Sequence, residues 1–139
     1  IEQVEPGCVV FFGGDLNMRD SELASIGGVP KQLNDVWEAT GARQECKYTW
    51  DCLRNTNLDM KTKFKPRCRF DRLYFRPAQP SALPGAQAAA AASETTQHLT
   101  LMPVYFELEG IERLKSCNRF CSDHWAIQAY CKLELHTIA

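Results

Sequence analysis

The stretch "VVFFGGDLN", Val9 to Asn17, decides the fold because a strand-like run leads directly into polar groups. The run from Cys8 to Phe12 is short, β-branched and aromatic, which predicts a fully buried strand closed by two glycines. Asp15 and Asn17 follow at once. An Asp after two glycines is often only a turn residue, so this stretch alone leaves open whether the polar groups form a site.

A second polar pair stands in "FCSDHWAIQAY", Phe120 to Tyr130, where Asp123 and His124 come just before another strand-like run. From Ala126 to Leu135 apolar and polar residues alternate, which predicts a strand that is half solvated or packed under helices. The residues expected to face inward are Ile127, Ala129, Cys131, Leu133 and Leu135. A His beside a Trp is often a buried core residue, so this pair is also ambiguous by itself.

A third polar point lies inside "RFDRLYFR", Arg69 to Arg76. Alternation puts Asp71 on the same strand face as Leu73 and Phe75. A carboxylate on an apolar face needs a partner, because an unpaired buried charge is costly. A salt bridge to a neighbouring arginine would be the structural explanation.

Composition limits the classes of protein. The chain has 139 residues, 45% of them hydrophobic, which suits one domain or part of a larger one. No apolar run approaches the ~20 residues of a membrane helix, so no membrane partner is expected. The first residues have neither a basic start nor an apolar core for secretion, and the missing initiator Met indicates a fragment.

Positive charge is concentrated although the net charge is −1. Seven basic residues and only one acidic residue lie between Lys61 and Arg76, with aromatic residues among them. This run is either a solvated loop or a patch that faces nucleic-acid phosphates and stacks bases on its aromatic rings.

The seven cysteines are odd in number and form no C-x-x-C pair, which disfavours disulfide or zinc-finger frameworks and favours a reducing compartment. Cys8 and Cys131 are expected to act as small buried hydrophobic residues. Cys117 and Cys121 have no standard zinc spacing with His124.

The remaining patterns predict short elements and few helices. Two short helices are expected in "RDSELASI", capped by Asp20 or Ser21, and in "NDVWEATG", ended by Gly41. Other expectations are an extended Lys47–Cys52, a loop over Leu53–Pro66, a mobile low-complexity insertion over Pro77–Gln97, a strand over Val104–Leu108 and an irregular Gly110–Cys117. Without helical crossovers, these elements predict an α/β fold built as a mainly antiparallel, layered β-sandwich with flanking helices.

Taken together and in order, the pieces "GGDLN", "RFDRLYF" and "SDHW" resemble the closing motifs of the endonuclease/exonuclease/phosphatase (DNase I-like) superfamily. Within it, "GGDLNMRD", "NDVWEATG", "KYTWDC", "RFDRLYFR" and "GIERLKSCNRFCSDHW" resemble the 5′-tyrosyl-DNA phosphodiesterases over nearly the whole chain. The superfamily's opening motifs, an Asn and a metal-binding Glu, are not among these residues. The resemblance therefore implies that residues 1–139 are the C-terminal part of one such domain.

The resemblance also implies roles for four residues. Asp15 would deprotonate the attacking water, and Asn17 would hold Asp15 or the phosphate. His124 would contact the scissile phosphate while Asp71 orients its ring. The implied cofactor is Mg²⁺, with Mn²⁺ as an alternative, and Asp123 is a weak candidate for a metal contact because the main ligand would be the Glu outside this sequence.

By the same resemblance, Arg19, Trp50 and Phe70 match positions that contact DNA. The implied partners are DNA 5′ ends with phosphotyrosyl adducts and a peptide derived from topoisomerase II, in the nucleus and also the cytoplasm. For Trp50 and Phe70, packing in the core is an equally good reading. The isolated chain is expected to be inactive.

Two alternatives remain open. The same chemistry could act on an abasic site, an RNA tail or an inositol phosphate. The chain could instead be a non-catalytic interaction module or scaffold.

Overall fold

The computed structural model describes residues 7–58, 60–78 and 96–138. Its strands are β1 Val10–Asp15, β2 Asn34–Asp35, β3 Trp50–Asp51, β4 Arg67–Cys68, β5 Asp71–Arg76, β6 Thr96–Glu109 and β7 Ala126–Ile138. They form a three-stranded sheet in the order β1-β5-β2, a two-stranded sheet β3-β4 and a two-stranded sheet β6-β7, and all the strand pairs are antiparallel. The predicted fold class, a mainly antiparallel layered arrangement, is confirmed.

Strand β1 differs from its prediction in two ways. It continues through both glycines to Asp15. At Gly13 a Cβ atom would clash with the carbonyl oxygen of Arg72. Only glycine allows β1 to approach β5 this closely. It is also not buried: Phe11 and Phe12 are exposed, since β1 lies at the edge of its sheet with a neighbouring strand on one side.

The helical predictions are confirmed as α1 Asp20–Ser25 and α2 Val36–Ala39. The cap of α1 is Arg19 and not Asp20 or Ser21. The backbone N–H of Arg19 donates to Glu22 Oε2 at 2.7 Å, so Glu22 closes the first turn. A short 3₁₀ helix, Gln44–Cys46, follows.

The hairpin β6-β7 is longer than the two predicted strands, and its inward face ends early. Ile127 and Ala129 pack against the core, but Cys131, Leu133 and Leu135 are exposed. Alternation reports which side chains share a face, but it does not report how far a covering layer extends. Thr96 and Gln97, the end of the predicted insertion, belong to β6; residues 79–95 lie outside the described residues.

The core lies between the three-stranded sheet, α2 and the inner end of the hairpin. Its buried members are Val36, Trp37, Cys46, Phe75, Phe106, Leu108 and Trp125. Trp125 is 1% exposed and immediately follows His124, so the core fixes the chain at the point where the polar motif ends. The described residues contain no helix long and apolar enough to cross a membrane.

Candidate active site

Two of the predicted site residues are brought together by strand register. Asp15 on β1 and Asp71 on β5 are direct partners across the antiparallel pair. Directly opposite residues in such a pair have Cβ atoms about 5 Å apart. Two carboxylates therefore share one end of the sheet.

Asn17 is fixed on Asp15 by a tight local turn. Its backbone N–H donates to Asp15 Oδ1 at 2.9 Å, and its side-chain amide donates to Asp15 Oδ2 at 3.3 Å. Asn17 has a φ of 50°, a conformation that Asn tolerates better than most residues. The amide thus orients the exposed carboxylate without adding a charge.

His124 completes the cluster from the other end of the chain. Its Nδ1 lies 2.8 Å from Asp71 Oδ2, and the two side chains are 25% and 18% exposed. Asp71 therefore has the partner that its apolar strand face requires, and this partner is an imidazole and not an arginine. Ligand atoms of Asp15, Asp71 and His124 all lie within 4.8 Å of one another.

An aromatic wall, Trp50 with Phe70, lies beside the cluster. The two ring centroids are 5.6 Å apart, and they lie 6.5 Å and 6.4 Å from the ring of His124. Neither residue belongs to the core cluster. Phe70 is buried, at 9% exposure, and Trp50 is half-buried, so a wall of the site and packing in the core both stay open as readings of these aromatics.

The segment before His124 is clamped by residues that sequence reasoning assigned only to a loop. Asn57 accepts the backbone N–H of Phe120 at 3.0 Å and donates to the Phe120 carbonyl at 2.8 Å. Buried Asn55 donates to the carbonyl of Ser122 at 2.9 Å. The available signal for these residues was a pair of Asn residues two positions apart in a polar loop. The sequence did not indicate that they bind the distant segment from Phe120 to Ser122.

The basic run from Lys61 to Arg76 is not one surface, contrary to both readings of it. Arg69 and Arg72 are buried, and they form ion pairs with Asp35 at 2.6 Å and Asp20 at 2.7 Å. Only the first part, which includes the 75% exposed Phe64, is a solvated loop. Arg72 lies on strand β5 and Arg69 lies just before it, so the chain carries both arginines into the fold, where they form internal ion pairs.

These ion pairs alter the ionisation of Asp20. Partial burial opposes its charge, but the hydrogen bond from Arg72 and the charges of Arg69, Arg72 and Lys47 prevail and lower the pKa of Asp20 below 3.8. Asp20 thus connects helix α1, which follows the site, to the central strand.

Arg19 lies on the rim of a separate cavity. Its side chain is 64% exposed and pairs weakly with Glu22 at 3.5 Å. The cavity has a volume of about 290 Å³ and is also lined by Asp20, Phe64, Arg67 and Cys68. Cys68 is the strand partner of Trp50, so this cavity, which carries two arginines and one carboxylate, adjoins the aromatic wall.

Asp123 is half-buried, and among the described residues it is not part of the three-residue cluster. Its role as a metal contact remains a prediction. Its charge, together with burial and the charge of Asp51, contributes to a raised pKa of the Cys52 thiol, with burial as the largest cause.

All seven cysteines are free. The expectation that Cys8 and Cys131 are buried is wrong, since both are exposed, whereas Cys46 and Cys52 are buried. Cys8 comes before the edge strand, and Cys131 lies on the part of β7 beyond the core. Burial here follows the extent of the core and not the apolar character of the local run.

The donor set of the cluster suits a hard cation in part. Asp15 and Asp71 offer carboxylate oxygens, the ligands that Mg²⁺ prefers. Asp71 Oδ2 is bound to His124 Nδ1, and both oxygens of Asp15 accept hydrogen bonds from Asn17. Asp15 is the more exposed of the two carboxylates and is therefore easier for a cation to reach.

Comparison with known proteins gives consistent relatives, although no protein-family model matches the chain. The chain is 42% identical to tyrosyl-DNA phosphodiesterase 2 of Gallus gallus over 127 residues, which are 91% of this chain and 29% of that protein. It is 41% identical to the 5′-tyrosyl-DNA phosphodiesterase of Caenorhabditis elegans over 89% of this chain and 27% of that protein. The chain thus spans less than a third of the length of these relatives.

Solved structures agree with the sequence comparison. A crystal structure of D. rerio TDP2 complexed with a single-strand DNA product matches with a TM-score of 0.69 and 34% identity, covering 96% of this chain and 44% of that one. A crystal structure of TDP2 from C. elegans matches with a TM-score of 0.62 and 37% identity, covering 88% and 30%. The predicted resemblance is therefore confirmed: in sequence and in fold, the chain matches one part of a 5′-tyrosyl-DNA phosphodiesterase.

Proposed function

We propose that this chain carries catalytic residues of a phosphodiesterase that hydrolyses the 5′-phosphotyrosyl bond between DNA and a trapped topoisomerase, in repair of DNA. The observation that carries the proposal is the convergence of Asp15, Asp71 and His124 within 4.8 Å, in a chain similar to such enzymes. The activity belongs to the longer protein, because the matched region is 29% of the Gallus gallus relative. A DNA substrate favours a nuclear location.

Hydrolysis requires a deprotonated water and stabilisation of the charged phosphate. Asp15 takes the proton of a water that attacks the phosphorus, and the bond to the tyrosyl oxygen breaks. Asn17 keeps the carboxylate of Asp15 aimed through its two hydrogen bonds. The tyrosyl oxygen departs with the bonding electron pair and takes a proton from solvent, and Asp15 returns its proton to solvent.

His124 contacts the phosphate through Nε2. In the tautomer with the hydrogen on Nδ1, the ring donates a hydrogen bond from Nδ1 to Asp71 Oδ2 across 2.8 Å. This bond fixes both the tautomer and the orientation of the ring. Asp71 is therefore a positioning residue, and Asp15 and His124 are the catalytic ones.

Mg²⁺ is the proposed cofactor, with Mn²⁺ as an alternative. Asp15 is the described side chain best placed to contribute an oxygen ligand, and Asp123 could act from a greater distance. When bound, the ion would neutralise charge on the non-bridging phosphate oxygens. Further ligands would come from the longer protein.

The aromatic wall and the cavity next to it are proposed to receive the DNA end. Half-buried Trp50, backed by the buried ring of Phe70, offers a stacking surface for a base or sugar, and such stacking tolerates any sequence. Arg19 would pair with a backbone phosphate.

The proposal is tested on the full-length protein with Mg²⁺ and four substrates: a 5′-phosphotyrosyl oligonucleotide, an abasic duplex, poly(A) and an inositol phosphate. We expect preferential cleavage of the first. Asp15→Asn and His124→Ala should each lower turnover by roughly a hundredfold or more, whereas Lys132→Ala in the exposed hairpin should not. Near-normal turnover in either site variant would refute the assigned roles, and no turnover of any substrate by the wild type would favour a scaffold.

A further inference from the structure

Thr49 connects the two chain segments that supply the Asp71–His124 pair. It is fully buried, with 0% exposure. Its hydroxyl oxygen accepts the backbone N–H groups of Phe70 at 3.1 Å and Asp71 at 3.0 Å. Its carbonyl oxygen accepts the backbone N–H of Trp125 at 2.7 Å.

These three hydrogen bonds act on both sides of one short contact. Asp71 and His124 are separated by 53 residues in sequence, yet their side chains meet at 2.8 Å. Thr49 fixes the backbone of Asp71 itself and of Trp125, the residue directly after His124. Hydrogen bonds depend steeply on distance and angle, so a shift of either segment would weaken the pair.

Thr49 does not serve merely to fill space. It is not a member of the hydrophobic core cluster, and valine, which has the same shape, would leave the N–H groups of Phe70 and Asp71 without this acceptor. The hydroxyl of Thr49 is therefore required for its bonds to the start of β5 and the residue before it. Trp50, the next residue, carries the aromatic wall, so the same short segment aligns the wall with the pair.

We propose that Thr49 is a positioning residue that sets the distance between Asp71 and His124. Its effect on turnover rests on the proposed function, whereas its effect on the geometry of the pair does not. The two parts are tested separately, so that failure of one is distinguishable from failure of the other.

The geometric test uses ¹⁵N NMR of the His124 ring in the full-length protein. Thr49→Val should change the ¹⁵N shifts of the ring, because its Nδ1 hydrogen bond lengthens, and Thr49→Ser, which retains the hydroxyl, should restore them. Unchanged ring shifts in a folded Thr49→Val protein would overturn the proposal, whether or not the protein cleaves any substrate.

The kinetic test measures turnover of the 5′-phosphotyrosyl oligonucleotide. Thr49→Val should lower kcat by about tenfold to a hundredfold with little change in KM, because a displaced catalytic group slows the reaction more than binding. Thr49→Ser should recover most of the loss. A loss confined to KM, or no recovery with serine, would contradict a positioning role.

Two controls separate positioning from general destabilisation. Leu33→Ala removes a buried side chain outside the core cluster. When Leu33→Ala and Thr49→Val are each assayed at the same number of degrees below their own melting temperatures, Leu33→Ala should retain the kcat of the wild type. In an Asp71→Asn background, Thr49→Val should cost far less than in the wild type, because both act through one contact. Additive losses would show that Thr49 does not act through Asp71.

Discussion

Two ion pairs of equal length show how the region around strand β5 differs from the outer part of strand β7 in the hairpin β6-β7. Asp35 and Arg69 lie 2.6 Å apart with side chains 1% and 5% exposed. Lys132 and Glu134 on strand β7 also lie 2.6 Å apart, but their side chains are 63% and 43% exposed. The distance is the same in both pairs, but the first pair is buried away from water and the second is surrounded by it.

The difference teaches that polar contacts specify the region of the site, whereas the outer hairpin depends on its backbone ladder. Around β5, the buried guanidinium groups of Arg69 and Arg72 pair with Asp35 and Asp20, and loss of a carboxylate leaves a buried charge without its partner. On the outer part of β7, water replaces a lost partner at little cost. Substitutions should therefore lower the free energy of unfolding strongly around β5 and only slightly on the outer part of β7.

The largest expected effect is that of Asp35→Ala. It leaves Arg69 without its closest partner and removes the cap that accepts the N–H of Trp37 at 3.0 Å, so the free energy of unfolding should fall by about 3 kcal/mol. Urea unfolding measures it, with Lys132→Ala as the control, whose midpoint should not move. Equal losses in the two variants would abolish the distinction between the regions.

A smaller effect is expected for Asn57→Ala, which removes both hydrogen bonds to Phe120. Unfolding free energy should drop by about 1 to 2 kcal/mol, and turnover of the full-length protein should fall because His124 loses its clamp. The comparison variant is Lys132→Ala, whose side chain is 63% exposed on the outer hairpin. Full turnover in the Asn57→Ala protein would show that the clamp does not position His124.

A pH-dependent effect is expected for Asp20→Asn. The pKa of Asp20 in the folded chain is lowered from 3.8, so its stabilising contribution is present above that value and is lost as the pH falls through the lowered pKa. The gap in urea midpoint between wild type and variant should be wider at about pH 6 than at about pH 3. A gap that does not narrow in acid would mean that the carboxylate charge is not what stabilises.

The smallest effect is expected for Leu133→Ser on the outer hairpin. Leu133 is 59% exposed, so the unfolding free energy should change by no more than about 0.5 kcal/mol. Its solubility should rise, because an apolar side chain leaves the surface. A loss of several times that size would indicate that another part of the longer protein covers this face.

The sequence predicted where most of the strands and both helices lie, but it placed the end of β1 at the glycines through which the strand continues. It identified Asp15, Asn17, Asp71 and His124 as one group only through their resemblance to a family, since each alone has an ordinary structural explanation. It did not identify the partners of Thr49 or Asn57, because they lie 22 and 63 residues away in sequence.

By itself, the sequence determined which residue types are available and which strand face each occupies, because backbone geometry alternates side chains locally. Only the tertiary structure decided that Asp71 pairs with an imidazole and that Arg69 and Arg72 are buried. It also decided that the apolar alternation of β7 continues beyond the part of the strand that packs against the core. These outcomes depend on which distant segments pack together. Burial and pairing are properties of that packing, and no local pattern encodes them.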